Sequence, residues 1–253
     1  MKAIKEFKLG NYIYYVIGIS VIGKKKTENQ DCFLIDCSDS CLSIAVADGL
    51  GSAAFSQEGA NKLCRLCIDF LKNPIEEKTI LKLREDWKKA VKSDFDKYDS
   101  TIKFIKMNDE TLTIGGVGDG WICFKGKEGV SSFEAEHTFS NQTDSILSID
   151  LLSKFVIRNI LVSGDILALI STDGFSEDIE KSNLSELLLD IKRDISSDIY
   201  RFAADMEEEM KNWPVDTNCD DKTVVFVLRK ELAKWTIFLL VITLLEILLR
   251  KMF

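Results

Sequence analysis

Ser43-Ile44-Ala45-Val46-Ala47-Asp48-Gly49-Leu50-Gly51-Ser52 is an apolar run that stops on an aspartate and leaves through glycines. A run without polar alternation reads as a strand covered on both faces. The pattern recurs downstream, where Leu167-Ala168-Leu169-Ile170-Ser171-Thr172 leads into Asp173-Gly174. Asp-Gly between strands commonly marks a hairpin, and either dipeptide alone would be read that way. Here Asp48-Gly49 runs into a helical pattern and Asp173-Gly174 into the polar segment Phe175 to Lys181, so neither turns toward a partner strand. Asp31 stands directly before the strand beginning at Cys32, and Asp220-Asp221 precede Thr223 to Leu228. Carboxylates gathered without a cation repel one another and are forced to protonate. The set therefore suits a hard divalent ion with oxygen ligands, magnesium or manganese. The glycine after each aspartate is expected to supply positive φ and close backbone approach.

Further runs rich in β-branched and aromatic residues surround these two: Tyr12 to Val21, Cys32 to Asp36, Leu42 to Ala47, Thr101 to Met107, Leu112 to Val117, Trp121 to Phe124, Ile166 to Ser171 and Thr223 to Leu228. Brief polar turns such as Asn108-Asp109 join several of them, which favours antiparallel, locally connected sheets. Helical periodicity covers Ser56 to Leu71, with Ser56 as N-cap, and then Glu76 to Phe95, Leu184 to Ile195 and Asp198 to Trp213. Strands, a helix pair, strands, a second helix pair and a last strand do not alternate as a βαβ protein would. The pattern is that of an α+β sandwich.

The 253 residues allow one large domain or two small ones. No repeat or linker appears before about residue 230, so residues 1–230 read as one domain and 231–253 as a tail. A net charge of −8, with Lys24 to Lys26 as the one basic run, argues against nucleic acid as a partner. Seven cysteines without a spaced framework point to a reducing compartment, the cytoplasm. Cys64-x-x-Cys67 falls on the apolar face of a helix and reads as core. The start Met1-Lys2-Ala3-Ile4-Lys5-Glu6 has no secretion-signal pattern.

Five segments together resemble the metal-dependent type 2C protein serine/threonine phosphatases, particularly their bacterial branch. They are Glu28-Asn29-Gln30-Asp31, Val46-Ala47-Asp48-Gly49-Leu50-Gly51-Ser52, Gly118-Asp119-Gly120, Ser171-Thr172-Asp173-Gly174 and Asp220-Asp221-Lys222-Thr223, in family order over residues 12–229. Ser56-x-x-Gly59-Ala60 and Ser140-Asn141-Gln142-Thr143 add to the likeness. The resemblance implies a four-layer α-β-β-α sandwich, two central antiparallel sheets flanked by helix pairs, with metals at one sandwich edge. By position, Asp48 would bridge two Mn2+ or Mg2+ ions, the Gly49 carbonyl would bind one, and Asp173 and Asp220 would complete the other. Asp31 would act through metal-bound water, and Asp119 would hold a third, weaker ion. The implied reaction is in-line attack of a metal-activated water on protein phosphoserine or phosphothreonine, opposing a serine/threonine kinase.

The chain departs from the family at three places. Gln30 stands where many members carry glutamate, Lys26 where an arginine contacts phosphate, and Leu50 where some carry a histidine. Lys26 keeps the charge without the bidentate fork and is read either as the substrate-phosphate contact or as a solvated lysine. These losses keep open a second class of function, a weak or inactive relative that binds phosphoproteins as a regulatory subunit. His137, the one histidine, lies in a polar stretch and reads as surface or structural. Gly115-Gly116-Val117-Gly118 lacks the helix a nucleotide loop needs. The apolar tail Trp235 to Leu249 would reach only about 22 Å as a helix against a hydrocarbon core of about 30 Å. It is expected either to anchor the domain to a membrane or to dock in a hydrophobic groove of a partner.

Overall fold

A computed structural model describes residues 1–38, 40–134 and 143–232. The expectations for His137, for Ser140-Asn141-Gln142 and for the tail lie outside the described residues. The strands are β1 (Lys2–Leu9), β2 (Tyr12–Val21), β3 (Asp31–Cys37), β4 (Leu42–Asp48), β5 (Ile102–Met107), β6 (Thr111–Val117), β7 (Trp121–Gly126), β8 (Gly129–Glu134), β9 (Val156–Leu161), β10 (Ile166–Ser171) and β11 (Lys222–Glu231). The helices are α1 (Ser56–Leu71), α2 (Glu77–Val91), α3 (Leu151–Lys154), α4 (Asp173–Ser176), α5 (Leu184–Ser197) and α6 (Ile199–Lys211). One sheet runs β1-β2-β11-β10-β7-β8 and the other β3-β4-β5-β6-β9. Every pairing is antiparallel.

The apolar runs that reveal the strands are uninterrupted because both faces of each central strand are covered. Along β4, Leu42, Ile44 and Val46 point between the sheets, while Ala45 and Ala47 face α1 and α2. Along β11, Val225 and Val227 point inward, while Val224, Phe226 and Leu228 meet α5 and α6. Three apolar layers result. One lies between the sheets, and each of the others lies under a helix pair. Cys64 and Cys67 are buried and free in the layer under α1 and α2.

Three strands escape the sequence pattern, and all three lie at sheet edges: β1, β8 and β9. Edge strands facing water carry charge and alternate weakly, as in Lys2-Ala3-Ile4-Lys5-Glu6 and Val156-Ile157-Arg158-Asn159. Ser56 is the first helical residue rather than the N-cap, which is Phe55 with no side-chain cap bond. Its hydroxyl is taken elsewhere, accepting from Gln30 Nε2 at 2.7 Å. Among the described residues no helix is long and apolar enough to cross a membrane.

Close approach seats α1. A Cβ on Gly59 would lie 1.7 Å from the Tyr98 carbonyl oxygen, and the Gly59 carbonyl accepts from Trp87 Nε1 of α2 at 3.0 Å. We therefore expect Gly59→Ala to lower unfolding free energy by about 2 kcal/mol or more in chemical denaturation, because backbone rather than a flexible side chain must give way.

Lys103 of β5 is buried, and its ammonium donates to the Gly118 carbonyl at 2.5 Å. Burial pushes its pKa down from 10.5 to about 8, against the opposing pull of Asp119. The native state then releases this proton before the unfolded state does, so this group makes stability rise with pH between about 8 and 10.5. Denaturation curves of wild type and Lys103→Met across that window should show the wild type gaining on the variant, by at most about 3 kcal/mol. A constant difference would mean that Lys103 titrates normally.

Candidate metal centre at the sandwich edge

The acids converge because their strands end at one edge of the sandwich. Asp31 opens β3 and Asp48 closes β4, and the two are direct cross-strand partners. Opposed residues on an antiparallel pair stand only about 5 Å apart at Cβ. Asp173 begins α4 just after β10, whose Ser171 pairs with Trp121 of β7 and Val224 of β11. Asp119 occupies the β6–β7 turn between Gly118 at φ 99° and Gly120 at φ 88°, so here positive φ does require glycine. Asp220 and Asp221 stand immediately before β11.

Carboxylate oxygens of Asp48, Asp119 and Asp173 lie within 4.8 Å of one another. Asp119, expected to hold a third, weaker ion, lies in this group with Asp48 and Asp173. Asp31 adjoins Asp48, within hydrogen-bonding reach. Its Oδ2 accepts from Thr172 Oγ1 at 2.8 Å, while its Oδ1 is buried without a partner. Asp119 Oδ2 accepts from Thr143 Oγ1 at 2.6 Å.

The glycines after Asp48 and Asp173 act otherwise than expected. Neither has positive φ. Both are there for space: a Cβ on Gly49 would come within 2.6 Å of Ser56 Cβ, and one on Gly174 within 2.1 Å of the Asp221 carbonyl oxygen. Each glycine lets a neighbouring element close over the acids.

Asp220 lies outside the group of three, near enough for its charge to act on Asp173, and is ion-paired with Lys26. Lys26 Nζ also donates to Asp221 Oδ2 at 3.1 Å and to Gln30 Oε1 at 3.2 Å. The Asp221 carboxylate is fully buried and accepts from the Gly23 and Gln30 amides, each at 2.8 Å. The sequence reading gave Asp221 no role. The structure makes it the tie between the β2–β3 loop and the start of β11. Lys26 is thus half-buried and paired on three sides, and the Gln30 amide is occupied by Ser56 and Lys26.

Electrostatics mark the cluster as short of positive charge. Burial, opposed by hydrogen bonds from Asp48, Thr223 and Thr172, raises the Asp31 pKa to about 7. Burial, then the charges of Asp31 and Asp173, holds Asp48 well above the carboxylate range. Asp173 is raised by burial and by Asp119. Glu177 was missed from sequence. It follows Asp173 by one helical turn, and its pKa rises through burial and then through Asp173 and Asp119, which places it within their field. The Asp173-x-x-x-Glu177 spacing was the available signal.

Buried carboxylates driven toward protonation, with an orphaned oxygen among them, are the donor set that a hard divalent cation satisfies. The residues present fit such an ion.

A family model for protein phosphatase 2C matches residues 20–213. No curated protein matches. Among solved structures, RsbX in complex with magnesium is 18% identical at a TM-score of 0.65, covering 91% of this chain and 100% of that one. The serine/threonine phosphatase Stp1 from Staphylococcus aureus is 11% identical at 0.64, covering 88% and 97%. The catalytic domain of the serine/threonine phosphatase PstP, in complex with two manganese ions, is 11% identical at 0.59, covering 87% and 100%. At these identities the neighbours establish the two-sheet sandwich with flanking helices and nothing finer. The family itself rests on the model match across most of the chain, over the segment that carries Asp31, Asp48, Asp119 and Asp173: this protein belongs to the protein phosphatase 2C family.

Proposed function

We propose that the chain hydrolyses phosphoserine and phosphothreonine on proteins, opposing a serine/threonine kinase, at a site that takes two Mn2+ or Mg2+ ions and a third, weaker one. The observation that carries this reading is the meeting of Asp48, Asp119 and Asp173 within 4.8 Å at the open edge of the sandwich. When bound, the ions lower the pKa of a water and neutralise charge on the phosphoryl group. Asp48 and Asp173 are the central ligands, with the Gly49 carbonyl, Asp119 and Asp220 beside them.

Asp31 has a separate task. Thr172 holds one of its oxygens and the other is buried beside Asp48 without a hydrogen-bond partner among the described residues, and we assign to it the holding of the attacking water or the taking of its proton. No side chain need become covalently attached. Lys26 supplies the positive charge nearest Asp220 and is the residue proposed to meet substrate phosphate. Glu177, on which the charges of Asp173 and Asp119 act, is assigned the support of that part of the site.

The deciding experiment is phosphate release from a phosphothreonine peptide with manganese, with magnesium and with a chelator. Release should require metal and fall about a hundredfold or more in Asp173→Asn, since even outer partners of a metal ligand cost 10- to 100-fold. Metal binding without release in the wild type would point instead to a phosphoprotein-binding regulatory role. Glu177→Gln should raise the manganese concentration for half-maximal activity by about tenfold with a smaller change in turnover. An unchanged metal requirement would remove Glu177 from the site.

A further inference from the structure

Lys26 and Asp220 have each been assigned to catalysis, yet in this structure they are bound to each other. The Lys26 ammonium meets an acceptor for each of its three protons: Asp220, Asp221 Oδ2 at 3.1 Å and Gln30 Oε1 at 3.2 Å. Two of these partners are held in place. Asp221 is fully buried and fixed by two backbone amides, and Gln30 is tied to Ser56. The third is held by one backbone amide only and stands open to solvent: the Asp220 side chain is 43% exposed, and the Oδ1 that meets Lys26 also accepts from the Asp221 amide at 2.8 Å. Asp220 is therefore the partner that can leave, and its place is outside the group formed by Asp48, Asp119 and Asp173.

We propose that Lys26 is a latch on Asp220: its ammonium holds that carboxylate, and a divalent ion must displace it to recruit Asp220 as a ligand. Displacement loosens the ammonium from one of three acceptors and turns it toward the cleft, so that metal loading makes Lys26 available to an incoming phosphate dianion. Metal binding and substrate binding are then linked through one side chain. The latch also offsets negative charge next to the cluster, at a cost in metal affinity. This inference rests on the reading of Asp220 as a metal ligand.

Two measurements test it, neither relying on turnover. The first is manganese affinity by calorimetry. Lys26→Gln keeps a hydrogen-bonding head beside Asp221 while removing the charge, and should bind manganese roughly tenfold more tightly than wild type. Lys24→Gln removes the same charge from the same basic run, where Lys24 reaches the exposed Asp216, and should bind as wild type does. Equal tightening in both variants would reduce the effect to general charge and overturn the latch. The second needs no variant: the rate at which Lys26 is acylated in the full chain, followed by mass spectrometry with and without manganese. Lys26 should become several-fold more reactive with metal while the other lysines do not. An unchanged or slower rate would overturn the proposal. Asp220→Asn separates the two ideas. Wild-type manganese affinity in that variant would remove Asp220 from the ligand set and the latch with it. Weakened affinity there, with no tightening in Lys26→Gln, would overturn the latch alone.

Discussion

Asp31 and Asp48 face each other across the β3–β4 ladder, and neither can ionise comfortably while the other is charged. Backbone pairing imposes this closeness, since register on a ladder is enforced by every hydrogen bond along it and by the layers on both faces. The protein cannot relieve the repulsion by moving one strand without disturbing the apolar contacts of Leu42, Ile44 and Val46 between the sheets. Asp173 and Asp119 join the same edge on equally rigid supports, α4 at the end of β10 and a glycine-bounded turn. The strain of gathered charge is thus held by paired strands packed on both faces, and a divalent cation in place of protons turns it into binding energy.

The surrounding groups keep that edge in shape. Thr172 donates to Asp31 and accepts from the Thr223 amide, and its own amide donates to the Thr223 carbonyl, so β10, β11 and β3 are tied at the level of the acids. Asp221 does the same for the β2–β3 loop. None of these groups need touch substrate. Their work is to deny the gathered carboxylates other conformations.

Much of this was readable in advance because the central strands are covered on both faces and so advertise themselves as apolar runs such as Ile166 to Ser171. The edge strands β1, β8 and β9 are half in water, and residues such as Lys5, Glu6 and Arg158 mask their period. Asp48 and Asp173 stood out by ending buried runs. Glu177 did not, because a carboxylate one helical turn after Asp173 looks like any exposed helix residue until the turn is placed in space. The part played by Gly49 and Gly174 was likewise out of reach, since local sequence can suggest backbone conformation but cannot report what Ser56 and Asp221 bring against those positions from elsewhere. For the same reason Lys26 offered a charge but no partner: Asp220 and Asp221 lie nearly two hundred residues away in sequence.

β11 begins beside Asp220 and Asp221 and ends at Glu231, where Leu232 donates to the carbonyl of Asn11 in the β1–β2 turn. Ten residues of strand carry the chain about 33 Å, the depth of the sandwich. One strand thus joins the acids to the β1–β2 turn at its far end, so a substitution at Asn11 or Leu232 can reach the carboxylates only through the whole ladder that β11 makes with β2 and β10.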